Sequence, residues 1–520
     1  MGIGIERLRG AFPPLGRASE KTGANEALPE VIPRTTEHRI HDFPLPPNVE
    51  ASLERNERDI LRLLVRAVRR TAELYALQES EDERANFYPQ DASKAEVIQA
   101  GEDNPQIFSP YTIIKRTSEG NLEAVPMHEV YSHGLKQLDI PRLLREAANV
   151  AGRGRKRDIS FQAYLRAKAG SFETGDYEAS DRIWLEREGE PKIDIVIGLY
   201  DTYTDRFLGV KYAWEAWVGV FDEKTTRDAQ WFLDSFRNWW QQETGQEAPK
   251  VRMRVDHTRM LGGQAALYDW TGNSLPCQQE WRQKYGSKFT IFRPRFETDF
   301  RDKRLPAFRS LIDSSRRMGV SDSLVKTVSL RKHVGHESSH ALGVASDLES
   351  RLQEFAAPIK ELYCDLLALK GYFAIPGISM RERELAFATF FADGVIEYAN
   401  FHNEGKREEY YVAHSTSLKF CLKKGSIKVE DGRLTWEDPR PVMNDIILLL
   451  DEEVQKIQIE GGVKEAQNFF AKYYDDNTYG QLRRGELPIP HFLRRRSRRK
   501  PPTKKQDVDT GTTPKFVEAI

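Results

Sequence analysis

The chain has 520 residues, with 78 Lys and Arg against 79 Asp and Glu and a formal charge of −1. That balance argues against a chain built as a whole to coat DNA or an anionic membrane, and 39% hydrophobic with 10% aromatic residues excludes wholesale disorder. The longest apolar run, 446–450, is far too short to span a bilayer, and the length suits roughly two or three cores rather than one.

Residues 1–48 carry Pro13-Pro14, Pro29, Pro33, Pro44 and Pro46-Pro47 with little apolar periodicity, the pattern of an extended arm that cannot form its own core. The first residues lack the charged-then-apolar order of a secretory signal. Three widely spaced cysteines, Cys277, Cys364 and Cys421, argue against a disulfide framework. Both features predict a reducing, cytoplasmic setting. Between residues 53 and 77, Ile60, Leu61, Leu64, Val68 and Leu74 mark one side of a helix whose other side is solvated by Glu and Arg.

Ile193, Ile195 and Ile197 alternate, and so do Tyr212, Trp214, Ala216, Val218 and Val220; this predicts two strands separated by a turn at 204–209. Residues 226–242 place Trp231, Phe232, Phe236, Trp239 and Trp240 at helical spacing, a stripe for core packing. Gly262-Gly263 lacks the lysine of a phosphate-binding loop and reads as a turn. A further extended patch lies at 288–292. From about residue 306 to 474 the texture is helical, with a strand-like interruption at 427–434. The basic run 494–500 and Lys504-Lys505 reads as a solvated tail; it leaves nuclear targeting open, but without aromatic interleaving a nucleic-acid partner is not expected.

One motif carries chemistry: His336-Glu337-Ser338-Ser339-His340. On a helix, residues i and i+4 lie about 40° apart around the axis and about 6 Å along it, so two imidazoles can reach one cation at roughly 2.0–2.1 Å each. Glu337 is then placed to act on a water rather than on the metal, taking its proton as it attacks a carbonyl. Leu324, Val325 and Val328 supply an apolar stripe for this helix, and Gly343 is its expected C-cap. A third ligand is needed. Ser346-Asp347-Leu348-Glu349 resembles a capping box, and Pro358 suits the first turn of a following helix. That helix would return Glu361 beside the histidines, with Asp365 one turn on to accept from a ligating imidazole. His333 is a rival ligand or a neighbour of the site, and Cys364 reads as a buried free thiol turned away from the face of Glu361 and Asp365.

These residues, together with Gly175-Asp176-Tyr177, Ile197-Gly198-Leu199-Tyr200-Asp201-Thr202-Tyr203, Glu215-Ala216-Trp217-Val218, Lys284-Tyr285-Gly286-Ser287-Lys288 and the stretches 361–367 and 460–473, make the chain resemble the dipeptidyl peptidase III family of zinc metallopeptidases, especially its shorter microbial relatives. The resemblance spans about residues 49–474. It implies one zinc held by His336, His340 and Glu361, with Glu337 as the base. It also implies that Asp201 holds the free amino end of a peptide and that Tyr203 donates to the developing oxyanion. A histidine of the late helical region has two candidates, His402 and His414.

The implied fold is α+β and two-lobed. A mostly helical zinc lobe (222–250 and 305–490) faces a lobe with a small mixed β-core (49–221 and 251–304) across a cleft, leaving the arm 1–48 and the tail 491–520 outside. The β-core edge would pair with an extended peptide. The chain departs from the family pattern at Lys360, where an acid is usual, and at Tyr363, where a basic residue is usual. The expected function is therefore a metallohydrolase acting on short peptides from the amino end. The alternatives are a same-fold enzyme for a non-peptide small molecule, such as a lactone, ester or specialised metabolite, and a catalytically silent peptide-binding protein.

Overall fold

The computed structural model describes residues 39–482 except 155–156, 269, 346 and 405–407. Most of the expected proline-rich arm, the first residue of the expected capping box and the basic tail lie outside the described residues. The described strands are β1 (Ile40–Asp42), β2 (Thr112–Arg116), β3 (Leu122–Pro126), β4 (Ile193–Tyr200), β5 (Ala213–Phe221), β6 (Val251–Gly263), β7 (Gly272–Leu275), β8 (Ser287–Phe292), β9 (Lys428–Glu430) and β10 (Arg433–Thr435).

Six of them form one sheet in the order β4-β5-β6-β8-β7, with β1 also on β6. All pairings are antiparallel except β6 with β8. β6 is long enough to serve two partners on one edge: β8 pairs with its first half, from Val251 to Asp256, and β1 with its end, from Met260 to Gly262. β2–β3 and β9–β10 are separate hairpins.

The two strands expected from the alternation form β4 and β5, and nearly every residue of both is buried. Trp214 and Trp217 point to opposite faces, as positions three apart must. Trp214 stacks on Phe172 at 5.2 Å, and Trp217 meets Phe292 edge-on at 5.2 Å. The helix Arg55–Gln78 covers one face, packing across β4, β5 and β6. Gly262 and Gly263 exist for close approach rather than for a ligand. A Cβ on Gly262 would lie 2.6 Å from the Val68 carbonyl, and one on Gly263, at φ +66, only 2.2 Å from that of Trp214.

The molecule has two cores and is α+β and two-lobed. The first gathers the N-terminal helices, β4 and β5. The second gathers the helices Glu223–Thr244, Asp322–Ser339, Ala356–Ala374, Met380–Glu404 and Glu408–Lys424. Val251, Met253, Val255, Phe289 and Ile291 of β6 and β8 belong to the helical core, while Met260, Leu261 and Phe292 belong to the other. The sheet is thus shared between the lobes. The helix Glu223–Thr244 buries Phe232, Phe236 and Trp240, but Trp231 is 42% exposed beneath the Arg331 guanidinium. Residues 231 and 232 lie about 100° apart on the helix and cannot share its inward face, so the expected core stripe is narrower than the sequence suggests. Among the described residues no helix is long and apolar enough to cross a membrane.

Candidate active site

The helix Asp322–Ser339 starts at Ser321, whose side chain accepts from the Leu324 amide, and ends beside His340, which keeps helical dihedrals. Gly343 is therefore not the residue that ends the helix. It sits beyond it at φ +79, where a Cβ would lie 2.6 Å from the Tyr363 hydroxyl. That hydroxyl donates to the Leu342 carbonyl at 3.1 Å, so Tyr363 fixes the loop leaving His340.

The i,i+4 spacing brings His336 and His340 Nε2 to 3.2 Å. Across from them the helix Ala356–Ala374 presents Glu361, whose Oε2 lies 3.2 Å from His336 Nε2 and 3.6 Å from His340 Nε2. One ligand atom from each of His336, His340 and Glu361 lies within 4.8 Å of the others. The far nitrogens are engaged from behind. His336 Nδ1 meets Asp365 Oδ1 at 2.8 Å, and His340 Nδ1 lies 3.3 Å from Cys364 Sγ. Cys364 is fully buried, but it is not turned away from the site; on a tightly packed helix the residue beside Asp365 still reaches the second imidazole.

Burial alone would keep His336 neutral, yet Asp365 and Glu361 outweigh it and raise its pKa well above the ordinary value. Burial lowers the pKa of His340, against the pull of Glu361. Burial would raise Asp365, but His336 holds it down at about 2, and Glu361 is likewise lowered by His340 and His336 against its burial. The buried Glu361 Oε2 has no hydrogen-bond partner among the described residues. Two imidazole nitrogens, an unpartnered carboxylate oxygen and an excess of negative charge suit a zinc ion.

Glu337, one position along the helix, is 30% exposed, and its Oε1 lies 3.9 Å from His333 Nδ1. His333 does not join the ligand group. Its Nε2 meets Thr271 Oγ1 at 3.2 Å, its ring packs on Phe289, and burial lowers its pKa to about 4.

A second group lies in the β-core lobe. Asp201, at the end of β4, adopts φ +46, a conformation few residues other than glycine take. Its Oδ2 accepts from Asn273 Nδ2 at 2.8 Å and its Oδ1 from Cys277 Sγ at 3.0 Å. The same Asn273 amide reaches Glu215 Oε1 at 3.3 Å, and Gln264 Nε2 reaches Glu215 Oε2 at 3.4 Å. Gln264 follows the glycine pair and is anchored by the Thr204 amide and hydroxyl at 2.9 and 2.6 Å. The hydrogen-bond donors to the two carboxyls are thus amides and a thiol, while Arg282 acts on Asp201 only through its charge. Burial raises both pKa values, and Asp201 further raises Glu215.

Sequence reasoning gave Glu215, Asn273 and Cys277 no role. The available signal was a lone charge inside the apolar strand β5. Tyr203 lies 54% exposed two residues from Asp201. Burial of its hydroxyl end, then Asp201 and Glu337, raise its pKa. Of the two late histidines, His414 is buried against Phe390, its Nδ1 is unpartnered among the described residues, and it lies close enough to Asp365 to lower that acid's pKa. His402 is exposed on another helix, with Nε2 3.3 Å from the Asp476 carbonyl.

The fold is that of dipeptidyl peptidase III. The enzyme from Caldithrix abyssi superposes with a TM-score of 0.72 at 19% identity, covering 84% of this chain and 93% of that one. The enzyme from Corallococcus sp. strain EGB gives 0.69 at 20% identity, covering 88% and 95%. In sequence, Nudix hydrolase 3 of Arabidopsis thaliana is 23% identical over 438 residues, 75% of this chain; the chain spans 54% of that relative's length. No family model matches the chain.

Proposed function

We propose that this protein is a zinc-dependent hydrolase that cleaves short peptides from their amino end. The observation that carries the reading is the convergence of His336, His340 and Glu361 beside Glu337. Zinc held by those three side chains would act as a Lewis acid on a carbonyl oxygen and make a water acidic enough to lose its proton near neutral pH. Asp365 fixes His336 with Nε2 free to ligate, since its Nδ1 is tied to the carboxylate. Glu337 accepts the water proton and later passes it to the leaving amine. Tyr203, whose side chain stands half exposed beside the acid pair, donates from its hydroxyl to the oxygen on which charge develops. Asp201 takes the substrate ammonium, and that ammonium is the cation that the amides on Asp201 and the buried Glu215 behind it cannot supply. His414, near Asp365, supports that acid rather than the substrate.

The test is zinc content combined with turnover of dipeptidyl-naphthylamides. About one zinc per chain, hydrolysis abolished by a chelator, and loss of turnover in Glu337→Gln with zinc retained are expected. A zinc-loaded protein that cleaves none of a broad peptide panel refutes the peptidase reading, and turnover of an ester or lactone series in its place would redirect the same site to a small molecule.

A further inference from the structure

Beside the acid pair three aromatic rings form a wall. Tyr268 and Trp270 stack with centroids 5.4 Å apart and planes 9° from parallel. Tyr203 leans on both, at 5.5 Å from Tyr268 and 4.9 Å from Trp270. The Tyr268 hydroxyl donates to the Tyr203 carbonyl at 3.0 Å, so the loop after β4 is tied to the segment before β7. A purely structural cluster would bury its rings. Here Tyr203 stays 54% exposed, and Tyr268 and Trp270 are only partly covered.

The position of the wall gives the exposure a meaning. Tyr203 is two residues from Asp201. Trp270 precedes Thr271, which bonds to His333 one turn before Glu337, and the same short segment continues to Asn273, which bonds to Asp201 and Glu215. The segment that begins with Trp270 thus touches both the helix that carries Glu337 and the acid pair. Burial first, and then the nearness of Asp201 and Glu337, opposes ionisation of the Tyr203 hydroxyl.

We propose that the wall of Tyr203, Tyr268 and Trp270 binds the side chain of the substrate's amino-terminal residue and selects a planar aromatic one. The inference rests on the amino-end reading above. The side chain of that residue leaves the carbon that bears the ammonium, so an ammonium on Asp201 puts the side chain within reach of a ring two residues away. Ring faces reward another arene through offset or edge contacts beyond its buried area, and they also attract an adjacent cation. A branched aliphatic side chain gains neither.

The experiment is calorimetric titration of the full chain with phenylalaninamide, leucinamide and N-acetylphenylalaninamide. None of these requires turnover. Phenylalaninamide is expected to bind about five- to tenfold more tightly than leucinamide, and N-acetylphenylalaninamide more weakly than either. The ratio between the first two should fall towards one in Trp270→Leu and again in Tyr268→Ala, so two independent changes guard against a variant that fails to fold. Equal binding of the two free amides by the wild-type chain overturns the wall and leaves the amino-end reading standing. Undiminished binding of the acetylated compound overturns the amino-end reading instead. No binding of any of the three overturns both.

Discussion

Asp194 and Glu215 sit on neighbouring strands of one sheet, both deeply buried, and they are treated in opposite ways. Asp194 accepts from the Trp184 indole at 3.0 Å and faces Arg187 at 3.1 Å and Lys288 at 3.9 Å. Burial would raise its pKa, but Arg187 and Lys288 prevail and hold it at about 2. Glu215 meets two side-chain amides and a second acid, and burial and Asp201 push its pKa the other way. A buried charge supplied with its counter-ions is part of the architecture. One left with amides and a like charge keeps its electrostatic debt until a cation arrives from outside. Glu361 follows neither rule: two imidazoles hold its pKa down against its burial, yet its buried Oε2 has no hydrogen-bond partner among the described residues.

The comparison can be broken most severely at the metal end. Glu337→Gln should lower turnover by about 10²- to 10⁴-fold while elemental analysis finds the zinc content unchanged; turnover near wild type would remove Glu337 from the reaction. The architectural acid should behave differently. Asp194→Asn leaves Arg187 buried without its counter-charge and Lys288 with Glu190 alone, so denaturant unfolding should show a loss of about 3–5 kcal/mol, with KM per folded molecule unchanged. Asp365→Asn removes the carboxylate that orients His336, and competition with a chromogenic chelator should report zinc affinity about 10- to 100-fold weaker.

The acid pair offers a sharper contrast than any single substitution there. Both acids have raised pKa values, so above the ordinary carboxylate range the folded chain binds more protons than the unfolded one. Stability should therefore fall as pH rises through that window, while affinity for an ammonium climbs through the same window as the pair ionises. Thermal melts and amine titrations from about pH 4.5 to 8 should show the opposed slopes, and Glu215→Gln should flatten both. The smallest effect is expected at Cys364, whose sulfur is a weak acceptor for His340 Nδ1. Cys364→Ala should weaken zinc binding only a few-fold, well short of Asp365→Asn; an equal loss would mean that the two imidazoles depend equally on their supports.

The grouping of His336, His340 and Glu361 is largely legible because its information is local. His336 and His340 are related by one helical turn, and Glu361 and Asp365 by another, so spacing alone places each pair on one face. Only the arrival of the second helix beside the first needs the tertiary structure. The roles of Gly343 and Trp231 are misread for the complementary reason: one depends on the Tyr363 hydroxyl arriving from another helix, the other on which of two adjacent residues the core selects.

The sequence by itself determines the i,i+4 histidines, the strands β4 and β5, and the helical texture of the second lobe, all of which rest on periodicities of a few residues. The tertiary structure decides what surrounds them. Asn273 lies 72 residues from Asp201 and 58 from Glu215, yet one amide serves both acids. No local period encodes that meeting. Strands β4 and β7 occupy opposite edges of the sheet, so the meeting is made by the tertiary fold rather than by strand pairing, and the same segment carries Thr271 to His333 on the helix bearing Glu337.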